Sequence, residues 1–343
     1  MGLGRRFWLG LAWAGLASTA LSACGGGAAT PGQRSALGTA GIVVQGAGSA
    51  LPSFFDRMVD APYNTAFRGT RRVQLHRNGD TYDFIEDVGA DGQGRIAVEV
   101  PSVSQVPPQL DPVLAPLYLV QRGLFGYRVR DPHITDLALF AANWRVDVLS
   151  RDVVVAGQHC WRLDLRRVVA LAAVDLRFEF DVEPRTGFIL AWREYDTTGV
   201  LFGDVAFQTF EFGGDVTGMN LRERDVVALD LDPQGDLSAQ VNAPVRVPSL
   251  PPPGFELEEV EQVTAGPNED WIKFVYSDGL ERTLFAHRLD RTQSAPLPVI
   301  STLNHVPFGA WTFSFGEIER VRLVATGKVP ARYLSELVQS AFR

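Results

Sequence analysis

Cysteine is nearly absent: the 343 residues hold two, Cys24 and Cys160. With Cys24 modified, as argued below, Cys160 has no partner within the chain, so no structural disulfide forms and the fold must be held by its apolar core. Catalytic signatures are absent too. No G-x-S-x-G, phosphate loop, dinucleotide fingerprint, H-E-x-x-H or C-x-x-C occurs, so no catalytic residue and no cofactor is assigned. The five histidines (His76, His133, His159, His287 and His305) are scattered without ligand spacing, and no metal is assigned. His159 and Cys160 are adjacent, but neighbours on a strand point to opposite faces and do not converge on one ion. There is no dense Lys/Arg patch, and the net charge of -8 argues against nucleic acid as a partner. An acidic body also avoids adhering to an anionic membrane. Nor is there a hydrophobic run long enough to span a bilayer: the apolar stretch Phe7–Leu21 is too short.

That stretch instead has the length of a signal peptide's central region. Arg5 and Arg6 precede it, and Leu21-Ser22-Ala23-Cys24 closes it as a lipoprotein cleavage box. Small residues at 22 and 23 admit the peptidase, and the Cys24 thiol takes the lipid. Two or more acyl chains anchor durably where one does not. The expected location is therefore the periplasmic side of the envelope, with the membrane reached through the Cys24 anchor. Gly25 is not the acidic residue that causes inner-membrane retention in enteric bacteria, which favours the outer membrane.

Residues 1–23 are read as the signal and 24–40, rich in Gly, Ala, Ser, Thr and Pro, as a flexible tether. With 46% hydrophobic residues, the remainder is long enough for two cores. Ser49–Asp60 predicts a short helix with Phe54, Phe55, Met58 and Val59 on one face and Pro52 in its first turn. The period then changes to two. Alternation predicts strands around Val73–Leu75, Tyr82–Phe84, Ile96–Val100, Trp144–Val148, Val153–Val155, Trp161–Leu165, Leu176–Phe180, Ile189–Tyr195 and Val205–Phe212. Between them, residues 107–142 carry prolines, glycines and helical turns, as expected of a lid or crossing segment. Residues 41–235 are read as the first domain, 236–253 as a stiff proline-rich linker, and 254–343 as a smaller domain closed by an amphipathic helix over Pro330–Phe342. The acidic run Glu256, Glu258, Glu259 and Glu261 reads as a solvated strand face, and Asp204 and Glu211 as outer-face charges.

Several of these segments resemble the RseB/MucB family of sigma-E regulatory proteins. Asn143-Trp144-Arg145-Val146, then Val154-Val155-Ala156-Gly157-Gln158-His159-Cys160-Trp161-Arg162-Leu163, is similar to that family's strand, V-A-G turn and strand. Phe180-Asp181 with Thr186-Gly187-Phe188-Ile189-Leu190 resembles its T-G-L-x-L hairpin, with Phe188 replacing a leucine. Pro252-Pro253-Gly254-Phe255, Val275-Tyr276-Ser277-Asp278-Gly279-Leu280 and Gly327-Lys328-Val329-Pro330 resemble stations of its C-terminal domain. Each also has a plain physical reading, Thr186-Gly187 as a turn and Ser277-Asp278-Gly279 as a tight hairpin. Two departures stand out. The best-studied members are soluble and lack a lipobox, and Arg166–Asp175 lacks the proline- and tyrosine-containing segment expected after the V-A-G strand.

The resemblance implies an α+β fold: an open antiparallel half-barrel of the lipoprotein-carrier type (LolA/LolB-like) with covering helices, followed by a smaller antiparallel α+β domain. It implies a partner, the periplasmic domain of a membrane-bound anti-sigma factor, which binding shields from regulated proteolysis. It also implies relief of that shielding by lipid or acyl chains held on the concave side of the half-barrel. Leu114, Leu117, Tyr118 and Phe125, in the apolar crossing segment, are the candidate ligand-binding residues. The alternative is a lipid or lipoprotein carrier without a signalling partner, for which a second domain would be superfluous. A structural adaptor in an envelope complex is a third reading.

Overall fold

A computed structural model describes residues 44–45, 51–77, 80–99, 131–168, 176–195, 199–221, 226–229, 236–266, 269–289, 303–308, 311–318 and 321–343. Cys24, Leu114, Leu117, Tyr118 and Phe125 all lie outside the described residues.

Period-two alternation builds the larger sheet. Its strands are β1 (Val44–Gln45), β2 (Ala66–Arg77), β3 (Asp80–Asp91), β4 (Ile96–Glu99), β5 (Trp144–Val155), β6 (Gln158–Arg167), β7 (Arg177–Glu183), β8 (Phe188–Tyr195) and β9 (Leu201–Phe212). They lie in the order β1-β5-β6-β7-β8-β9-β2-β3-β4. All its pairs are antiparallel except the two-residue pairing of β1 with β5. The two short runs expected at Trp144–Val148 and Val153–Val155 form one strand, β5, because bulges at Ser150 absorb the interruption instead of ending it.

One face of this sheet carries Leu163, Leu165, Phe178, Phe180, Trp192 and Val205, all buried. Helix α1 (Leu51–Asn64) lies against that face and buries Phe54, Phe55, Met58 and Val59, the stripe expected from their spacing. It runs past the expected end at Asp60, with Pro62 in its last turn. Phe54 stacks on Trp161 at 5.1 Å. The α1 backbone also sits on the β7–β8 turn: a Cβ on Gly187 would come within 2.5 Å of the Arg57 carbonyl carbon. The glycine of the T-G motif is thus required by its φ of +78° and by helix docking together.

The opposite face is paved with charges at the same two-residue period. Arg162 pairs with Asp181, Arg177 with Asp164 and Glu179, and Arg72 with Asp83. Arg193 lies among Glu179, Asp181 and Asp204. Arg72–Asp83 is exposed and contributes little to stability, whereas Asp164 and Asp181 are buried beneath their arginines; this density of charge makes the face unsuited to apolar burial. The expectation of an outer-face charge at Asp204 agrees with this arrangement.

The second sheet comprises β10 (Val226–Ala228), β11 (Glu256–Gly266), β12 (Glu269–Ser277), β13 (Arg282–Arg288), β14 (Asn304–Phe308), β15 (Trp311–Ile318) and β16 (Val321–Gly327), in the order β10-β11-β12-β13-β16-β15-β14. Helix α4 (Ala331–Ser340) buries Leu334, Leu337 and Val338 on it, starting directly after Pro330. Two features of the segment between the sheets differ from expectation. β10, inside residues 41–235, pairs with β11 of the second sheet. The proline-rich stretch holds helix α3 (Leu237–Val241) and buries Val241 and Ala243 in the second core, while Pro248 accepts a hydrogen bond from Tyr276. Proline restricts the chain without preventing it from packing.

The acidic run of β11 is solvated only in part: Glu256 is exposed and Glu258 and Glu259 are half-buried. Glu261 is fully buried and ion-paired with Lys273, and Glu258 accepts hydrogen bonds from Arg282. Cross-strand cations, invisible to a count along one strand, draw these carboxylates inward.

Candidate functional site

Both sheets belong to one compact unit, Thr39–Arg343, and the β12–β13 turn meets the first sheet. Asp278–Glu281 forms this turn, with the Asp278 carboxylate accepting from the backbone N–H groups of Leu280 (3.1 Å) and Glu281 (2.8 Å). Leu280 is buried among the core residues of the first sheet. On the receiving side stand helix α2 (Leu137–Asn143) and the segment before it. Asp136 caps α2 by accepting from the Leu139 N–H at 2.8 Å. The Thr135 N–H donates to the Gly279 carbonyl at 2.9 Å, and the Thr135 and Ser277 hydroxyls meet at 3.0 Å.

Asn143 closes the contact. Its side-chain N–H groups are shared among the carbonyls of Leu139 (3.1 Å), Gly254 (2.9 Å) and Asp278 (3.1 Å). One side chain therefore ties α2 to the end of the proline-rich stretch and to the turn.

Charges complete the junction. Arg167, on the inward phase of β6 that also carries Leu163 and Leu165, donates to Asp278 at 3.0 and 2.6 Å. Its guanidinium lies over the rings of Trp144 and Phe255. Lys328 reaches Glu194 at 2.7 Å and Glu281 at 3.3 Å, bordered by the rings of Phe178 and Trp311. Burial works against the Lys328 charge, yet the two carboxylates hold its pKa above the ordinary lysine value. Burial drives Glu281 the other way for an acid, up to about 7, against the pull of Lys328. A second polar contact joins His133 to Arg282 at 2.9 Å, and Arg282 to Glu258 at 2.8 Å.

Several quoted motifs, far apart in the chain, thus converge: Asn143, Gly254, Asp278, Gly279 and Lys328 all lie at this junction. Its charged members Arg167, Glu194 and Glu281 were not singled out by their residue types. A usable signal existed: each of Arg167 and Glu194 continues the inward phase of an apolar strand, after Leu165 and Trp192 respectively, where an unpaired charge is costly.

The remaining candidate chemistry stays apart. His159 is exposed beside Asp152, while Cys160 is fully buried, the opposite-face arrangement expected of neighbours on a strand. Burial, with Asp181 and Glu183 adding to it, pushes the Cys160 thiol up to about 12, which leaves almost no thiolate at neutral pH. Burial pushes His287 down to about 4, and its Nε2 accepts from the Arg246 N–H. Among the described residues no group of three or more His, Cys, Asp or Glu is arranged to hold a metal. Also among them, no helix is long and apolar enough to cross a membrane.

Fold and site together define a β-rich protein of two antiparallel sheets joined through a buried polar junction. A solved structure of MucB is similar to this chain with a TM-score of 0.46 and 17% identity, covering 85% of this chain and 98% of that one. MucB in complex with MucA(peri) is similar at TM-score 0.45 and 15% identity, covering 84% and 97%. The Pseudomonas aeruginosa MucA/MucB complex is similar at 0.45 and 16%, covering 84% and 96%. MucB gives its name to the family whose motifs the sequence resembles. No family model matches the chain. No curated protein matches it.

Proposed function

We propose that this chain is a regulatory binding protein of the cell envelope, anchored through lipid on Cys24, which holds the periplasmic domain of an anti-sigma factor. The observation that carries the reading is the convergence at one junction of Asn143, Gly254, Asp278 and Lys328, drawn from motifs separated by more than a hundred residues. Motifs that resemble a family one by one are weak signals. Motifs that also assemble into one built contact between two sheets support a shared two-part architecture, and with it a protein-binding role that uses both parts. MucB has been solved in complex with MucA, and the proposal places a comparable partner on this chain.

Lipid sensing is the second half of the proposal. The larger sheet is read as an open half-barrel, with the segment holding Leu114, Leu117, Tyr118 and Phe125 as part of its cover. Supporting it, Leu75, Val148, Ile189 and Phe202 are only partly buried at the margin of the first core, where hydrocarbon could extend it. Each buried methylene contributes about 0.8 kcal/mol.

The test uses the full chain and the periplasmic domain of a candidate single-span anti-sigma factor from the same genome. Saturable binding is expected, weakened by added fatty acid. Absence of saturable binding would end the partner reading. Binding indifferent to fatty acid would remove the lipid half alone.

A further inference from the structure

The ionic group at the junction does not balance. Arg167 and Lys328 bring two positive charges, whereas Asp278, Glu194 and Glu281 bring three negative ones when all are ionised. Among the described residues these five come from β6 (Arg167), β8 (Glu194), the β12–β13 turn (Asp278 and Glu281) and the end of β16 (Lys328), while α2 and β5 bring the uncharged Asn143 and Trp144. β7 and β15 add only the rings of Phe178 and Trp311. Arg282, next in sequence, is engaged with Glu258 and His133 instead.

Geometry decides which acid is the odd one out. Asp278 accepts two backbone N–H bonds and two from Arg167, so its charge is well compensated. Glu194 holds the shorter contact with Lys328, 2.7 Å, and its side chain keeps 12% exposure. Glu281 is left with Lys328 at 3.3 Å and 3% exposure. A buried carboxylate whose one cation also serves a closer acid is the group that neutralises by taking a proton.

We propose that Glu281 makes the junction a proton-operated latch: with its carboxyl protonated the turn 278–281 stays seated on the first sheet, and with it ionised the turn and the second sheet loosen. The seated pKa is about 7 against an ordinary 4.5, burial being the main cause. A carboxyl whose seated value lies above its free value binds more proton when seated. The latch is therefore at full strength below pH 4.5, weakens as pH rises toward 7, and changes no further above that. Nothing in this depends on whether a partner protein binds.

Amide hydrogen exchange of the full chain, corrected for intrinsic rate, tests it at about pH 5, 6, 7 and 8. The reporters are the N–H groups of Thr135, Leu280 and Glu281, which are bonded at the junction. Their opening constant should rise by up to about tenfold per pH unit below pH 7 and then level off, while amides within β6–β7 pairing stay flat. In Glu281→Gln the junction amides should lose that dependence. The same slope in the variant, or a flat profile in the wild type, would overturn the latch. Should the variant fail to fold, carbon-13 titration of wild-type glutamate carboxyls decides: one is expected to titrate near 7, and the absence of any such carboxyl refutes the proposal.

Discussion

Gly279 leaves no room for a side chain. A Cβ there would fall 2.2 Å from the Phe140 nitrogen and 2.5 Å from its Cα, both backbone atoms of α2. Its φ of +96° adds strain for any other residue. Gly279→Ala should cost roughly 1–3 kcal/mol from overpacking and about 1 kcal/mol or more from the backbone, read as a lower midpoint in urea unfolding. A loss within about 0.5 kcal/mol, the range of neutral surface changes, would mean the turn is not seated on α2. Asp278 makes a complementary case. Arg167 and Asp278 each keep 1% side-chain exposure, so Arg167→Met leaves a buried carboxylate without its cation, a loss that typically costs about 3–5 kcal/mol. The double variant Arg167→Met with Asp278→Asn should recover part of that cost. Equal destabilisation in single and double variants would show that the pair is not coupled.

Among the elements, α1 is the one whose apolar stripe was readable in advance. Phe54, Phe55, Met58 and Val59 fall on one face at helical spacing, and all four are buried. Phe55 also lies 5.9 Å from Phe140 of α2, so α1 supports the helix that receives the β12–β13 turn. Phe55→Ala should destabilise by about 3–5 kcal/mol. Because α2 shares the cavity left behind, exchange of the Phe140 amide should accelerate more than amides in β2 or β9. Uniform acceleration would place Phe55 in the general core without a special link to α2. The strands were legible for the same reason as α1, since a half-buried face imposes its period on the sequence. β10 and β14 leave no such trace in the sequence, and their physical situation explains why. β10 has only three residues and β14 five, too few for a period to register, and pairing at a sheet edge defines them.

On the scale of the whole molecule, the composition of residues 236–253 pointed to a linker between independently folding parts. We propose that the second sheet does fold alone, but only with its N-terminal additions. Its core includes Val241 and Ala243, and Ser340 accepts from the backbone N–H groups of Ser249 and Leu250. A fragment of residues 222–343 should therefore show a cooperative thermal transition by circular dichroism. Residues 254–343, stripped of β10 and α3, should melt lower or not fold. Equal stability of the two fragments would restore the boundary expected from composition, and failure of both would make folding of the second sheet dependent on the first.

Several features follow from the sequence alone. Alternation and helical spacing specify which faces are apolar, because burial of one face of a strand or helix leaves a local periodic trace at positions such as Leu163, Leu165, Phe54 and Met58. The expected export signal and Cys24 box would be equally local, since such signals are read from the chain itself. Tertiary structure alone decided the rest. Glu261 is buried because Lys273 of the neighbouring strand pairs with it, and Lys328 meets Glu194 across 134 positions of chain. Charge compensation in a buried junction is a relation between distant residues, and no local pattern in any one segment records it.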